Sequence, residues 1–422
     1  NCDVTLFFVS CLFFSMAAAE ALQSILLRLC VLCSTSLQTI QTSPTETIDR
    51  ETSRQDGRAL SEKLYQDLLI LNQQVRKEAT ALSLAMRPSL REMHDDADPL
   101  DGLDEKSIEA ASHLLQSLAT DAVPKLVFLA NLAQKNQRVY DTTDAVANDT
   151  SLQEAREMGA HIVLGENAIG KHVVSASVGS LFANDVRRYT ADVIESIGLL
   201  CQSFMNVRTR TVLARAQEKR GEKSESLTPP SRQASLALTK KLWTLCDAAE
   251  GDKTHTPAYI TRLPRNNYEA LCKLARQNEL VLRDGVAELE ESLENDSLNP
   301  PQPPSNDVED MWERHVQLSE EEKKAVRNVL DLVRSGIALL KQAVSAAAAA
   351  KDVDLDHVAE LMEELASTQD DLIASVLYEE ETAEGLGEVA QAYVDACEAL
   401  HECVDTSSGM DAIEAAWHSL SL

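Results

Sequence analysis

Apolar residues recur along this chain at alternating steps of three and four, the spacing that places them on one face of an α-helix. The clearest run is Leu60, Leu64, Leu68, Leu71, Val75, Ala79, Leu82 and Met86. A stripe of that width packs against neighbouring helices while the other side stays polar. Similar stripes pass through Leu22, Leu26, Leu29, Cys33 and Ile40, and through Val186, Val193, Ile197, Leu200 and Phe204. Leu271, Ala275, Leu282, Val286, Leu289 and Leu293 form another, and Val326, Val329, Val333, Ile337, Leu340 and Val344 the cleanest of all. Helices are therefore predicted from Arg58 until Pro88 stops the chain, over Glu105–Thr120, Asp121–Gln134, Leu181–Arg220 and Arg232–Glu250, and over Arg265–Asn295. Beyond these, Ser319 and Glu322 form a capping-box signature at the start of the next helix. Leu355–Leu377, Ala383–Val404 and Met410–Leu420 complete the set. Gly159, Gly165, Gly170 and Gly179 break up residues 138–180, which show no clear period. Long stripes joined by short polar segments predict an all-α fold of two antiparallel helical bundles.

Polar and proline-rich stretches set the expected boundaries. Residues 1–57 read as an N-terminal extension and linker, 58–296 as a first bundle, 297–307 as a Pro-rich linker and 308–422 as a second bundle. Pro300, Pro301, Pro303 and Pro304 cannot continue a helix and favour an extended spacer. Leu6 to Phe14 is apolar, but Asp3 stands where a signal peptide would be basic, and a start at Met16 is expected. Glu20, Gln23 and Arg28 interrupt the apolar run before it reaches the roughly 20 residues of a membrane span, so no membrane association is expected.

Composition agrees with the periodicity. Glycine numbers 14 in 422 residues and aromatics are 4%, whereas strands want β-branched and aromatic residues with frequent turns. The net charge of −29 is concentrated toward the C-terminus, where residues 297–422 hold 27 acidic and 7 basic side chains, a net of −20. Such a field repels nucleic acid and attracts basic protein surfaces. Glu320, Glu321 and Glu322, and likewise Glu379, Glu380 and Glu381, are the candidate partner-binding clusters. Carboxylates at a helix N-terminus also favour the macrodipole, which accounts for the first cluster without any partner.

Candidate chemistry is sparse. The chain has no GxGxxG after a strand, no GxxxxGK[ST], no HExxH and no GxSxG. His94 to Glu105 is rich in carboxylates, but Leu100 falls at an EF-hand ligand position and Pro99 disrupts the DDxxD pattern. An interhelical loop explains it better. The nine cysteines are scattered, and Cys30 and Cys33 form a CxxC inside an apolar helical run, so free core thiols are expected. Cys397, His401 and Cys403 lack a set of four zinc ligands. No cofactor, no metal and no catalytic residue is predicted. Thr228 before Pro229 and Ser235 after Arg232 are the candidate phosphorylation sites.

Several segments, in order, resemble the cyclin-D-binding (GCIP) protein family. They are Arg76 to Ser83 (RKEATALS), Asn184 to Leu200 (NDVRRYTADVIESIGLL), LVLRDGVAELEESLE at 280–294, and LSEEEKKAVRNVLDLVRSGIALLKQ at 318–342. Leu355 to Leu361 and Asp370 to Ser375 continue the series. Residues 138–180 and the Pro-rich linker depart from the family pattern, and Trp312 stands apart from Leu318 where the family motif is contiguous. The resemblance implies an all-α protein of vinculin and catenin-like bundles, binding cyclins and helix–loop–helix transcription factors in cytoplasm and nucleus and damping cell-cycle kinase signalling and transcription. The shared architecture leaves a cytoskeletal or adhesion adaptor as the alternative, and an all-α metalloenzyme as a third class.

Overall fold

The computed structural model describes residues 2–42, 54–86, 100, 103–135, 141–142, 172–173, 178–219, 232–250, 263–295, 318–349, 353–377, 383–404 and 410–420. Nearly all of them are helical, as the stripes predict. The chain divides into two compact units, Asn1–Asn266 and Asn267–Leu422.

The first unit holds α1 (Cys2–Thr42), α2 (Arg54–Ala85), α3 (Glu105–Ser117), α4 (Val123–Lys135), α5 (Ser180–Ser203), α6 (Val207–Lys219) and α7 (Arg232–Glu250). From Leu22 to Ile40 its N-terminal helix is a member of the core, as suits the stripe there. Leu22, Leu26, Leu29, Cys30, Cys33 and Ile40 are buried, and α1 touches α3, α4, α5 and α6. Each fully buried leucine of that stripe contributes about 2 kcal/mol. Two ties fix α1 antiparallel to α5: the Gln23 amide reaches the Phe204 carbonyl at 3.2 Å, and the Cys30 thiol reaches the Gly198 carbonyl at 3.5 Å.

Two local departures have identifiable causes. Leu118–Ala122 is a π turn that joins α3 to α4, with the Val123 N–H donating to the Leu118 carbonyl. Pro124 follows at once; it has no N–H to donate, and its ring would crowd the Thr120 carbonyl, so the helix widens there. The second departure is at Phe204–Asn206, where the single predicted helix over 181–220 breaks in two. The Phe204 and Met205 N–H groups donate to the carbonyls three residues back, ending α5. Asn206 then caps α6, its side-chain oxygen accepting from the Thr209 N–H at 2.9 Å. Within 138–180, Asp141–Thr142 pairs antiparallel with His172–Val173, the only extended structure among the described residues.

The second unit comprises α8 (Asn267–Asn295), α9 (Glu320–Ala349), α10 (Leu355–Leu377), α11 (Ala383–Val404) and α12 (Met410–Leu420). This unit begins at Asn267, and residues 297–307, the expected linker, lie outside the described residues. The buried face of α8, with Leu271, Ala275, Leu282 and Leu289, packs against α9 and α10.

The neighbours are also not all antiparallel. Glu279 pairs with Lys341 and Glu290 with Arg334, which sets α8 antiparallel to α9. Against α10 the contacts rise together: Asn267 donates to Asp356, Asn278 to the Met362 carbonyl, and Gln369 to the Leu282 carbonyl. Thus α8 and α10 lie parallel and side by side. Gly285 permits that approach, since a Cβ there would strike the end of the Ile373 side chain.

Gly336 on α9 is more tightly held. A Cβ added to it would overlap the Tyr393 hydroxyl on α11 and lie 2.8 Å from its Cζ. Tyr393 is fully buried, with the Cys397 thiol as a polar neighbour, and burial pushes its hydroxyl pKa well above the usual range. A rigid ring in the core has nowhere to go, whereas the Ile373 tip can rotate.

Two stability predictions follow from these contacts. Gly336→Ala should destabilise the second unit by about 1–3 kcal/mol net of its gain in helix propensity, while Gly285→Ala should stay within about 1 kcal/mol of wild type in urea unfolding. Gln23→Leu should cost the first unit about 1–3 kcal/mol by leaving the Phe204 carbonyl and the Asn206 N–H without their partner, read by the same measurement.

Candidate functional site

A concave feature lies along α2, an open groove lined by Gln73, Arg76, Lys77, Thr80, Ala81 and Leu84. The heptad logic of α2 turns Leu68, Leu71, Val75 and Leu82 inward. Ile70 and Leu84 each stand two residues after an inward position, about 200° around the helix, and so face out. They are 66% and 64% exposed, and about 21 Å apart along the axis, with Lys77 midway between them. Lys77 has no ion-pair or hydrogen-bond partner among the described residues.

The wall beside the groove is made rigid by polar ties between α2 and the antiparallel α7. Tyr65 donates to the Ala249 carbonyl at 3.1 Å, Trp243 Nε1 donates to Thr80 Oγ1 at 3.0 Å, and the Ser83 and Thr239 hydroxyls meet at 2.7 Å. Arg76 is held in an ion pair with Asp247. On the far side of α2, Gln74 bonds Asp121 in the π turn and Glu78 accepts from Ser117 at the end of α3. The groove's lining offers an apolar ridge, two cations, an amide and a hydroxyl group. None of these is a carboxylate, an imidazole or a thiol.

The acidic candidates are placed unevenly. Glu320, Glu321 and Glu322 open α9, and Glu322 completes the predicted capping box: the Ser319 N–H donates to its carboxylate at 2.7 Å, and its own N–H donates to Ser319 Oγ at 3.2 Å. Those bonds from Ser319, the backbone one foremost, hold the Glu322 carboxyl below the usual carboxylate range. Glu320 pairs with Lys323 at 3.1 Å, and all three glutamates are exposed. Glu379, Glu380, Glu381 and Thr228 lie outside the described residues. Ser235 sits in the first turn of α7, half-buried, with its carbonyl accepting from Thr239.

The remaining sequence candidates are occupied by structure. Cys30, Cys33 and Cys201 are buried between α1 and α5, and burial pushes the Cys30 and Cys33 thiols well up. Cys397 is fully buried and raised to about 12, chiefly by burial. Asp104, at the end of the acidic 94–105 stretch, caps α3 by accepting from Ser107, which lowers its pKa. Among the described residues no group of three His, Cys, Asp or Glu side chains could hold a metal ion. Ala17–Gln41 is long and apolar enough to cross a membrane by length and composition, with a mean hydropathy of 1.5 and one face buried in the first unit.

No protein-family model matches the chain, and no curated protein matches it. The exposed face was missed in the sequence because Ile70 and Leu84 look like core residues until the stripe beside them is assigned.

The capping box gives a direct test of the acidic cluster. Ser319→Ala should cost about 1 kcal/mol at neutral pH. The Glu322 carboxylate has a lowered pKa in the folded state, so its contribution is present above the unfolded value near roughly 4.3 and is lost as pH falls through the lower folded value. The difference between Glu322→Gln and wild type should therefore narrow in acid, measured as urea midpoints across that range.

Proposed function

We propose that this chain is a non-enzymatic regulatory protein that binds helical segments of partner proteins. The observation that carries the reading is the outer face of α2, where Lys77 and Leu84 line the groove and Ile70 stands exposed on the same face beyond it. An amphipathic helix laid along it would seat apolar residues at both ends and a carboxylate or backbone carbonyl on Lys77, the helix-in-groove mode of recognition. A span of about 21 Å matches about four turns of such a helix.

The resemblance to the cyclin-D-binding family supplies the partner class in this proposal: cyclins or helix–loop–helix transcription factors, both helical, with damping of cell-cycle kinase signalling and transcription as the consequence. The acidic C-terminal region complements the basic segments that precede many helix–loop–helix dimers. A vinculin or catenin-like bundle arrangement, and residence in both cytoplasm and nucleus, belong to the same reading. A cytoskeletal or adhesion adaptor is the second reading, favoured by the presence of two compact helical units in one chain.

Affinity capture with the tagged full chain and with Ile70→Glu/Leu84→Glu, partners being identified by mass spectrometry, tests both. Recovery of a cyclin or helix–loop–helix factor by the wild type, reduced about tenfold or more by the double substitution, supports the proposal. Recovery of actin or junction proteins promotes the adaptor and sinks the cell-cycle reading. Equal recovery by both forms removes the groove from the mechanism.

A further inference from the structure

On a chain of net charge −29, α6 carries an outward cationic face. At 100° per residue, Val207, Arg208, Thr211, Val212, Arg215, Glu218 and Lys219 fall within about 140° of arc, three cations to one carboxylate. Val207 is 73% exposed and Val212 46%. The opposite side of α6 is spent on the fold: Leu213 is buried, and Arg210 turns back to donate from Nη2 to the Gln202 carbonyl at the end of α5, at 2.9 Å.

The other three cations have no such employment. Arg208, Arg215 and Lys219 make no ion pair or hydrogen bond among the described residues. Elsewhere cations of this chain find carboxylates, as Arg76 does with Asp247, Lys125 with Asp121, Arg283 with Glu279 and Lys341 with Glu279. The helix macrodipole explains Lys219, which lies in the last turn. It does not explain Arg208. Because α5 ends at Ser203 and Asn206 caps a new helix, Arg208 stands in a first turn, where the dipole disfavours a cation.

We propose that this face of α6 is a docking surface for an acidic amphipathic helix of a partner protein, its carboxylates seated on Arg208 and Arg215 and its apolar flanks on Val207 and Val212. The two arginines are seven residues apart, about two turns, so carboxylates at the same spacing on the partner meet both. Guanidinium groups take carboxylates in two parallel hydrogen bonds, which gives geometry as well as charge to the contact. At physiological ionic strength charges beyond about 8 Å are screened, so the local face outweighs the acidity of the rest of the chain. An anionic membrane suits the face less well: interfacial helices bury Trp, Phe or Leu, and here there are two valines. The surface is distinct from the α2 groove and does not depend on the partner class proposed for it.

The test is fluorescence anisotropy of the full chain with a labelled helical peptide of Leu, Ala and Glu, the glutamates repeating every seven residues, and with its Lys-for-Glu counterpart. The Glu peptide should bind the wild type, weaken at least about fivefold between low and threefold physiological salt, and weaken about tenfold or more on Arg208→Glu/Arg215→Glu, with helicity and melting temperature unchanged. The same variant should gain affinity for the Lys peptide, and Ile70→Glu/Leu84→Glu should bind the Glu peptide as wild type does. Equal binding of the Glu peptide by wild type and the charge-reversed variant overturns the proposal. So does a fall in melting temperature on charge reversal, which would make the cations structural; Arg215→Gln/Lys219→Gln checks that outcome with a milder change. Binding to phosphatidylserine vesicles that the Glu peptide does not compete assigns the face to lipid instead.

Discussion

The first unit depends on burying one face of α1. That helix is the most apolar long segment in the chain, and its stripe from Leu22 to Ile40 is covered by α3, α4, α5 and α6 together. The cover can close only because α5 stops at Ser203 and the chain turns. Gln23 supplies the condition for that turn. Its amide nitrogen donates to the Phe204 carbonyl and its oxygen accepts from the Asn206 N–H, so one side chain satisfies both backbone groups that the break leaves open. A polar residue inside an apolar stripe is thus not a flaw in the pattern, because it fixes the point at which α6 departs.

In the second unit the controlling quantity is how closely two helix axes can come. Periodicity gives each helix a buried face but carries no information on which neighbour meets it or in which direction it runs. Residues without a side chain decide this locally: Gly285 lets α10 lie parallel against α8, and Gly336 receives the Tyr393 ring. Once α8 is held by both α9 and α10, it belongs to this unit, whatever the composition of the chain that follows it.

The helices and most of the core were legible in the sequence because a period of 3.6 survives in Leu64 to Met86 and in Val326 to Leu340. The capping box at Ser319 and Glu322 was legible for the same kind of reason, since both its residues lie within one turn. The break at Phe204–Asn206 was not, because Phe204 and Met205 prolong the apolar run and mask the cap. Asn206, a residue that favours caps, was the available signal. The π turn had one too, in Pro124. The boundary at Asn266 had none in local composition, because it follows from tertiary packing of α8. Asn72 was also invisible: it is fully buried between stripe residues, with neither amide atom hydrogen-bonded among the described residues.

Exposed apolar residues carry weight only if the helix bearing them cannot roll. On α2 the rotation is fixed from two sides. Tyr65, Thr80 and Ser83 are tied to α7, and Gln74 and Glu78 to the π turn and the end of α3. A roll of even one residue, about 100°, would break those bonds and lift Leu68, Val75 and Leu82 out of the core, at about 2 kcal/mol for each leucine. The exposure of Ile70 and Leu84 is therefore enforced by the fold and is not slack in its packing. The same reasoning applies to α6, where Arg210 and Leu213 are committed inward and hold Arg208, Val212 and Arg215 outward. In both places the polar ties do not create affinity; they set the side chains in place before a partner arrives, so less ordering entropy opposes binding.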